Sequence, residues 1–278
     1  MKLSEKLGLG TVQFGLKYGI SNTSGKTSAN DVQKIIALAR NYQVDTLDSA
    51  SAYGNAEEVL GKSNLDGFKV VSKFLPDSLG LSIKEQLSSS LRNLGTKTLY
   101  GYLAHRPMDL LDHPEQWEEL QALKAEGKVD KIGFSLYEPK EIEKLLKKGF
   151  TPDLIQVPYN YFDRRFESAI LNLKKTGCEI HTRSAFMQGL FFMNPDDLQD
   201  HFNIIKPQLI KLQKNKPLNG AILKFVLEKP FIDKVIIGVE NEEQLKLNIQ
   251  NIENAPSLPE FEETLPDNIL IPSEWPKN

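Results

Sequence analysis

Two groups with complementary proton chemistry stand close together in TLDSASAYGNAEEVLG, residues 46–61: the carboxylate of Asp48 and the phenol of Tyr53. Asp48 closes an apolar run, and Tyr53 sits in the small-residue loop that follows it. Two further apolar runs end around ionisable groups, VVSK at Lys73 and YLAH at His105. A phenol has an ordinary pKa of about 10, so one that gives up its proton near neutral pH needs a neighbour that stabilises its anion. Lys73 could supply that charge. Asp48 would hold Lys73 by an ion pair, and His105 could orient a carbonyl oxygen beside the phenol. The four together suffice to protonate an oxygen while another group attacks the carbon.

That chemistry requires the four groups to converge, and the order of elements along the chain offers a way. Apolar, β-branched runs recur as LGLGTV (7–12), TLDSA (46–50), KVVSKF (69–74), LYGYLAH (99–105), KIGFSL (131–136), LIQVPY (154–159), CEIHTR (178–183) and KVIIGV (234–239). Helical spacing separates them at 31–42, 83–95, 116–127 and 139–150, with Gly95, Gly127 and Gly149 where helices should stop. Strands alternating with helices imply parallel pairing. The α/β series predicts a single (β/α)8 TIM barrel over residues 1–278 with an extended C-terminal tail, and a doubly wound open sheet is its competitor. In such a barrel the C-terminal strand ends meet at one mouth, and Asp48, Lys73 and His105 all fall there. Two stretches break the rhythm. From Met187 to Pro230 a loop should precede a helix over 217–229, and the proline-spaced tail 255–278 should lie over the barrel.

Composition narrows the partners. With 40% hydrophobic and 26% charged residues, the 278-residue chain can bury one large core. A net charge of −3, from 34 basic and 37 acidic residues, gives no reason to expect nucleic acid or an anionic membrane. No window approaches the roughly 20 apolar residues that span a bilayer. Cys178 is the single cysteine, and MKLSEKLGLG lacks the apolar core of a signal peptide, so the cytoplasm is the expected compartment. Oligomeric state is left open.

The stretches GLGTVQFG, DTLDSASAYGNAEEVLG, VVSKF, YLAHRP, GFSLY, IQVPYNYFDRR, RSAFMQGLF and IIGVENEEQLKLN resemble those of aldo-keto reductases, in order and over nearly the whole chain. The D-x4-Y-G-x-[ACS]-E block, followed by an S-K strand and an H-x-P strand, is the most specific part. The resemblance implies a barrel reductase that binds NADP or NAD at the mouth without a separate dinucleotide domain. Its catalytic tetrad would be Asp48, Tyr53, Lys73 and His105, with Tyr53 giving the proton and the nicotinamide the hydride. It also implies Ser135 and Gln156 at the carboxamide, and Ser184, Gln188, Gly189 and Leu190 along the pyrophosphate. Gly10, Thr11, Gly238, Gln244 and Asn248 complete the implied cofactor set. Arg183 stands where the family carries an aromatic under the nicotinamide, and Leu136 where many members have Asn. A planar guanidinium can stack on a ring in the aromatic's place. Many members put basic residues at the 2′-phosphate, where this chain has Glu240, Glu242, Glu243 and Gln244, leaving Lys246 and Asn248 as donors. Weak discrimination between NADPH and NADH is therefore expected.

Substrate residues are read from the same mouth. Gln13, Phe14, Tyr18, Arg106 and Tyr137, with Tyr53, His105 and parts of the tail, would present aromatic faces with polar tips to a small-molecule carbonyl compound of sugar-like character. The opening LGTVQFGLKYG resembles reductases of bacterial surface-polysaccharide gene sets, which points to a keto-sugar. Two other functions compete: a Schiff-base lyase that uses Lys73, and a cofactor-sensing regulatory barrel with little turnover. Elsewhere the residues read plainly. GLGTVQFG has Gln13 where a dinucleotide loop needs its third glycine, and His113, His181 and His201 lack metal-binding spacing, so no metal is expected. Cys178 reads as buried packing, and KLLKKG (144–149) as a solvated helix end.

Overall fold

In the computed structural model, which describes residues 2–76 and 80–276, eight short strands pair in parallel, each with the next. They are β1 (Leu7–Gly10), β2 (Thr46–Asp48), β3 (Lys69–Phe74), β4 (Leu99–Ala104), β5 (Val129–Ser135), β6 (Leu154–Pro158), β7 (Glu179–Arg183) and β8 (Lys234–Gly238). β8 returns to β1 with Gly238 opposite Gly10, which closes the barrel. The open-sheet alternative is thereby set aside.

Helices fill the intervals: α1 (Val12–Gly15), α2 (Ala29–Asn41), α3 (Ala56–Leu60), α4 (Ile83–Leu94), α5 (Glu115–Ala125), α6 (Pro139–Lys147) and α7 (Glu167–Lys174). Between β7 and β8 lie α8 (Lys206–Leu212) and α9 (Leu218–Leu227), and after β8 come α10 (Glu242–Gln250) and α11 (Asp267–Leu270). Their ends follow from side-chain chemistry. Ser82 and Glu85 form a reciprocal capping box at the start of α4, and Gly95 ends it in the left-handed region at φ 64°. Asn241 caps α10 by accepting from the Gln244 N–H at 2.9 Å.

Alternation along the strands separates two cores. In β3, Val70 and Phe74 join the large core beneath the helices, and Ser72 donates to Glu57 of α3. Val71 instead meets Leu103 and Leu154 in a small separate cluster, and Lys73 reaches Asp48. At the start of β7, burial works to raise the Glu179 carboxyl, yet hydrogen bonds from His181, Lys131 and Tyr100 hold it well below the usual range. Cys178 is buried beside it, its thiol pushed up to about 12 by that burial.

Three sequence expectations change. β1 stops at Gly10 because Thr11 turns out of the sheet and Val12 begins α1. The 187–230 interval holds α8 as well as the expected helix, since Ile205, Leu209 and Leu212 recur at helical spacing and are buried. Three short 3-10 turns, Met187–Phe192, Pro195–Asp197 and Asp200–Phe202, lead into it. The tail does not line the mouth. Phe261, Leu265, Ile269, Leu270 and Trp275 pack with Tyr161, Phe162, Phe191 and Phe202 in a second apolar cluster, and residues 277–278 lie outside those described. Tyr161 donates to the Pro259 carbonyl at 2.8 Å, and the Trp275 indole donates to Ile269 at 2.9 Å.

Trp275 is the last large side chain of that cluster. Removing a buried aromatic costs about 3–5 kcal/mol. Trp275→Ala should therefore lower the urea midpoint by that equivalent with unchanged slope; a loss below about 1 kcal/mol would mean that the tail lies outside the cooperative unit.

Candidate active site at the barrel mouth

The site is built on one buried ion pair. Lys73 Nζ donates to both carboxylate oxygens of Asp48, each at 2.7 Å, and to the Ser49 carbonyl at 2.9 Å. An ammonium has three N–H groups, so this one is saturated. Gln156 Nε2 donates to Asp48 Oδ1 at 2.7 Å. Thr11 holds the Asp48 main chain, its N–H donating to the Asp48 carbonyl at 2.9 Å and its hydroxyl to the same oxygen at 3.1 Å.

Tyr53 lies over that pair, with Lys73 Nζ 5.2 Å from its ring centroid. Its ring meets that of His105 edge to face, centroids 5.7 Å apart. The loop that carries it is pinned by main-chain bonds. Ser49 N–H donates to Val71 at 2.8 Å, Ser51 N–H to Lys73 at 3.0 Å, and Tyr53 N–H to Ala50 at 3.0 Å. From behind, the buried Ser72 hydroxyl ties α3 to β3 through Glu57 at 2.5 Å. From the side, Gly15 of α1 abuts the same loop so closely that a β-carbon there would come within 1.8 Å of the Tyr53 carbonyl.

Burial sets the protonation states. It raises the Tyr53 pKa, as does the Asp48 charge, while Arg183 pulls the other way. It lowers Lys73, and Asp48 counters. His105 falls to about 3 through burial and the charges of Lys73, Arg183 and Arg106. The imidazole is therefore neutral, and its buried Nδ1 has no hydrogen-bond partner among the described residues. A protonated phenol and a neutral imidazole at one spot can both offer hydrogen bonds to an oxygen.

Above these groups opens a cavity of about 740 Å³, within the range of small-ligand sites. Of the sequence-predicted cofactor residues, Gly10, Ser135, Gln156, Arg183, Ser184, Gln188, Gly189, Gly238, Gln244 and Asn248 line it, as do Asp48, Tyr53 and His105. Gln13, Tyr18 and Tyr137 line it too. The others do not. Lys73 is fully buried under Tyr53, and Thr11 is buried with its hydroxyl turned to Asp48. Phe14 belongs to the large core, and Leu190 anchors its loop in the second cluster, since both apolar side chains gain more from burial than from the mouth. Arg106 is exposed where the 3-10 turn after β4 begins, and acts on His105 through its charge alone.

Several lining residues escaped the sequence reading. Ser21, Asn22, Thr23 and Ser24 come from the β1–α2 loop, Phe186 and Phe192 from the loop after β7, Asn219 from α9, and Asn241 from the α10 cap. The polar run SNTSG was the available signal for the first group. The two loops meet over the cavity. Ile20 N–H donates to the Gln188 carbonyl at 3.1 Å, and Gln188 Nε2 donates to the Tyr18 hydroxyl at 3.2 Å. Ser184, Met187 and Gln188 all take left-handed φ values, 63°, 45° and 53°. Such non-glycine conformations cost about 1–3 kcal/mol each and persist where the surroundings impose them, often at ligand clamps.

These surroundings fit a nicotinamide dinucleotide. The Gln13 amide packs against Gly238, where a β-carbon would come within 2.4 Å of it, and Gln13 Oε1 is a buried acceptor with no partner among the described residues. Gln244 Oε1 accepts from the Glu240 N–H at 2.8 Å, and Asn248 Oδ1 from Asn219 at 2.8 Å. Lys246 does not line the cavity: it is half-buried, its Nζ 3.9 Å from Glu243. Arg183 lies over the Tyr137 ring with its Cζ 4.6 Å from the centroid, so stacking on a cofactor is left to its other face. Among the described residues no helix is long and apolar enough to cross a membrane, and no three His, Cys, Asp or Glu side chains gather as a metal site.

Comparison with known proteins bears on the chemistry. Residues 6–263 match the model of the Aldo/keto reductase family. Aldo-keto reductase YhdN of Bacillus subtilis is 26% identical over 285 aligned positions, covering 87% of this chain and 83% of that one. The 6-dehydroglucose reductase of Agrobacterium fabrum is 30% identical over 166, covering 51% of this chain and 55% of that one. A solved holo aldo-keto reductase from Bacillus halodurans superposes with a TM-score of 0.73 at 23% identity, over 91% of this chain and 88% of that one.

The state of His105 can be read directly. Its imidazole should stay neutral by nitrogen-detected NMR down to about pH 4, and a transition near pH 6.5 would contradict the buried, cation-flanked setting. A histidine whose folded pKa lies below its unfolded value binds fewer protons when folded. Its contribution to stability should therefore fall as pH drops from about 6.5 towards 3.

Proposed function

The chain belongs to the aldo/keto reductase family, and on that premise we propose that it reduces an aldehyde or ketone, a keto-sugar foremost, with Tyr53 as the proton donor. It is an NAD(P)-dependent oxidoreductase acting on small carbonyl substrates. When bound, the nicotinamide supplies the hydride. The residues of the chain do the rest. As the carbonyl carbon gains the hydride, the C=O electron pair moves to oxygen, which takes the phenolic proton of Tyr53 and receives a hydrogen bond from neutral His105. Lys73 sits under the ring where the phenolate charge appears, and Asp48 keeps Lys73 charged in a dry site. Solvent then restores the proton.

The observation that carries this reading is the saturated Lys73 ammonium beneath the Tyr53 ring, with His105 edge to face against it at the cavity floor. The same observation counts against a Schiff-base lyase. An imine-forming lysine needs a free, accessible amine, and Lys73 has neither accessible surface nor an unengaged N–H. For the substrate, Gln13, Tyr18 and Tyr137 supply polar tips on apolar bodies, and a relative named 6-dehydroglucose reductase supports a sugar-like carbonyl.

Tyr53→Phe should abolish carbonyl reduction by about 10²–10⁴ in kcat while cofactor affinity stays nearly constant. Retention of more than about a third of the wild-type rate would refute Tyr53 as donor. With no Lys or Arg beside α10 among the described residues that line the cavity, Kd values for NADPH and NADH should agree within about tenfold in fluorescence titrations at one ionic strength. A thousandfold preference for NADPH would show that basic residues complete that pocket.

A further inference from the structure

The cavity has an unbalanced charge. Among its described lining residues Arg183 is the only Lys or Arg, and no carboxylate lies within ion-pair distance of it. Asp48, the nearest candidate by chemistry, is already matched by Lys73. Glu240 stands beside α10, its N–H bonded to Gln244. By contrast, Arg165, Lys131 and Lys174 all have acidic partners. A half-buried cation satisfied only by neutral groups is costly, and an incoming anion would relieve it.

The guanidinium is also held ready. Tyr137 covers one face, Nη2 donates to the Leu136 carbonyl at 3.1 Å, and Nη1 donates to the Ser184 hydroxyl at 3.3 Å. Five N–H donors less these two leaves three without a partner among the described residues. A planar fork fixed in this way matches the spacing of two oxygens on one carboxylate or phosphate. Its place matters as much as its shape. Arg183 ends β7, and its charge is felt by Tyr53 and by His105, the two groups that would face the carbonyl oxygen. Of the residues expected along the pyrophosphate, Ser184 adjoins Arg183 and accepts its Nη1 bond, while Gln188, Gly189 and Leu190 lie further along the same loop.

We propose that Arg183 is a specificity-determining residue that receives a carboxylate or phosphate carried by the substrate close to its reacting carbonyl, so that acidic carbonyl compounds are the preferred substrate class. This rests on the reductase reading above and deepens it. The cofactor's own phosphates are the rival claimant for the same cation.

The test compares matched pairs on the full-length protein: 4-oxobutanoate against butanal for carboxylate, and glyceraldehyde 3-phosphate against glyceraldehyde for phosphate. Wild type should favour the acidic member of at least one pair in kcat/KM by about tenfold or more, mainly through KM. The pair that shows the preference identifies the anion. In Arg183→Met the ratio should collapse to about one, and Arg183→Lys should retain part of it because charge survives without the fork. Fluorescence titration of NADPH and calorimetric binding of 4-hydroxybutanoate against 1-butanol separate the roles without turnover. An unchanged acid-to-neutral ratio in Arg183→Met overturns the proposal. So does a variant that loses NADPH affinity with that ratio intact, since Arg183 would then serve the cofactor. Absence of any acid preference in wild type overturns it even if neither variant folds. If wild type reduces neither member of either pair, the reductase reading fails instead, and binding of 4-hydroxybutanoate that Arg183→Met abolishes still upholds the anion site, while no such binding overturns it.

Discussion

Everything at the mouth is arranged around the buried contact between Lys73 and Asp48. Taking two charges out of water costs several kcal/mol per ion, and their attraction repays that only when the remaining hydrogen-bonding capacity is met. Here it is met in full for the ammonium, by two carboxylate oxygens and the Ser49 carbonyl. The carboxylate takes a further bond from Gln156 on the far side of the barrel. The pair therefore joins β2, β3 and β6 at one point. It also sets the electrostatic floor on which Tyr53 rests, so a single arrangement both seats the phenol and places a cation beneath its ring.

The fold's contribution is parity and direction. Parallel strands closed in a ring aim all their C-terminal ends one way, and residues two apart on a strand share a side. Asp48, Lys73, Ser135 and Arg183 come together because each sits at or near its strand's end, and Gln156, midway along β6, joins them by its register opposite Ser135. Register then sets their heights, with Ser135 opposite Gln156 and Gly10 opposite both Asp48 and Gly238. Layers of apolar side chains beneath and around carry the stability, leaving the mouth free to hold unpaired polar atoms such as His105 Nδ1 and Gln13 Oε1.

The strands and the four convergent groups were legible because each rests on a local signal: a β-branched run, a helix stop, a charged residue closing an apolar stretch. Phe14 and Leu190 were misplaced because each sits in a short helical turn between longer elements. Whether an apolar side chain in such a turn faces the mouth or the core depends on contacts distant in sequence, and both turned inward. The tail was expected to follow the barrel surface, and it does so over the second cluster, not over the site. Asn219 and Phe192 left no trace in the sequence because helix α9 and the loop after β7 reach the cavity only through their packing. Thr11 shows a subtler limit: it lies just past the end of β1 and not within it as expected, and its hydroxyl is spent on the Asp48 carbonyl.

Gly15 couples one wall of the mouth to the loop that carries Tyr53. The segment from Gln13 to Ser24 brings Tyr18 and several polar side chains to the mouth. That same segment touches the main chain of Tyr53 with no room for a single added methyl group. Insertions or swaps that shift Gly15 would push the Tyr53 loop with it, so side chains on this wall of the mouth can be exchanged without disturbing Tyr53 only at positions beyond Gly15.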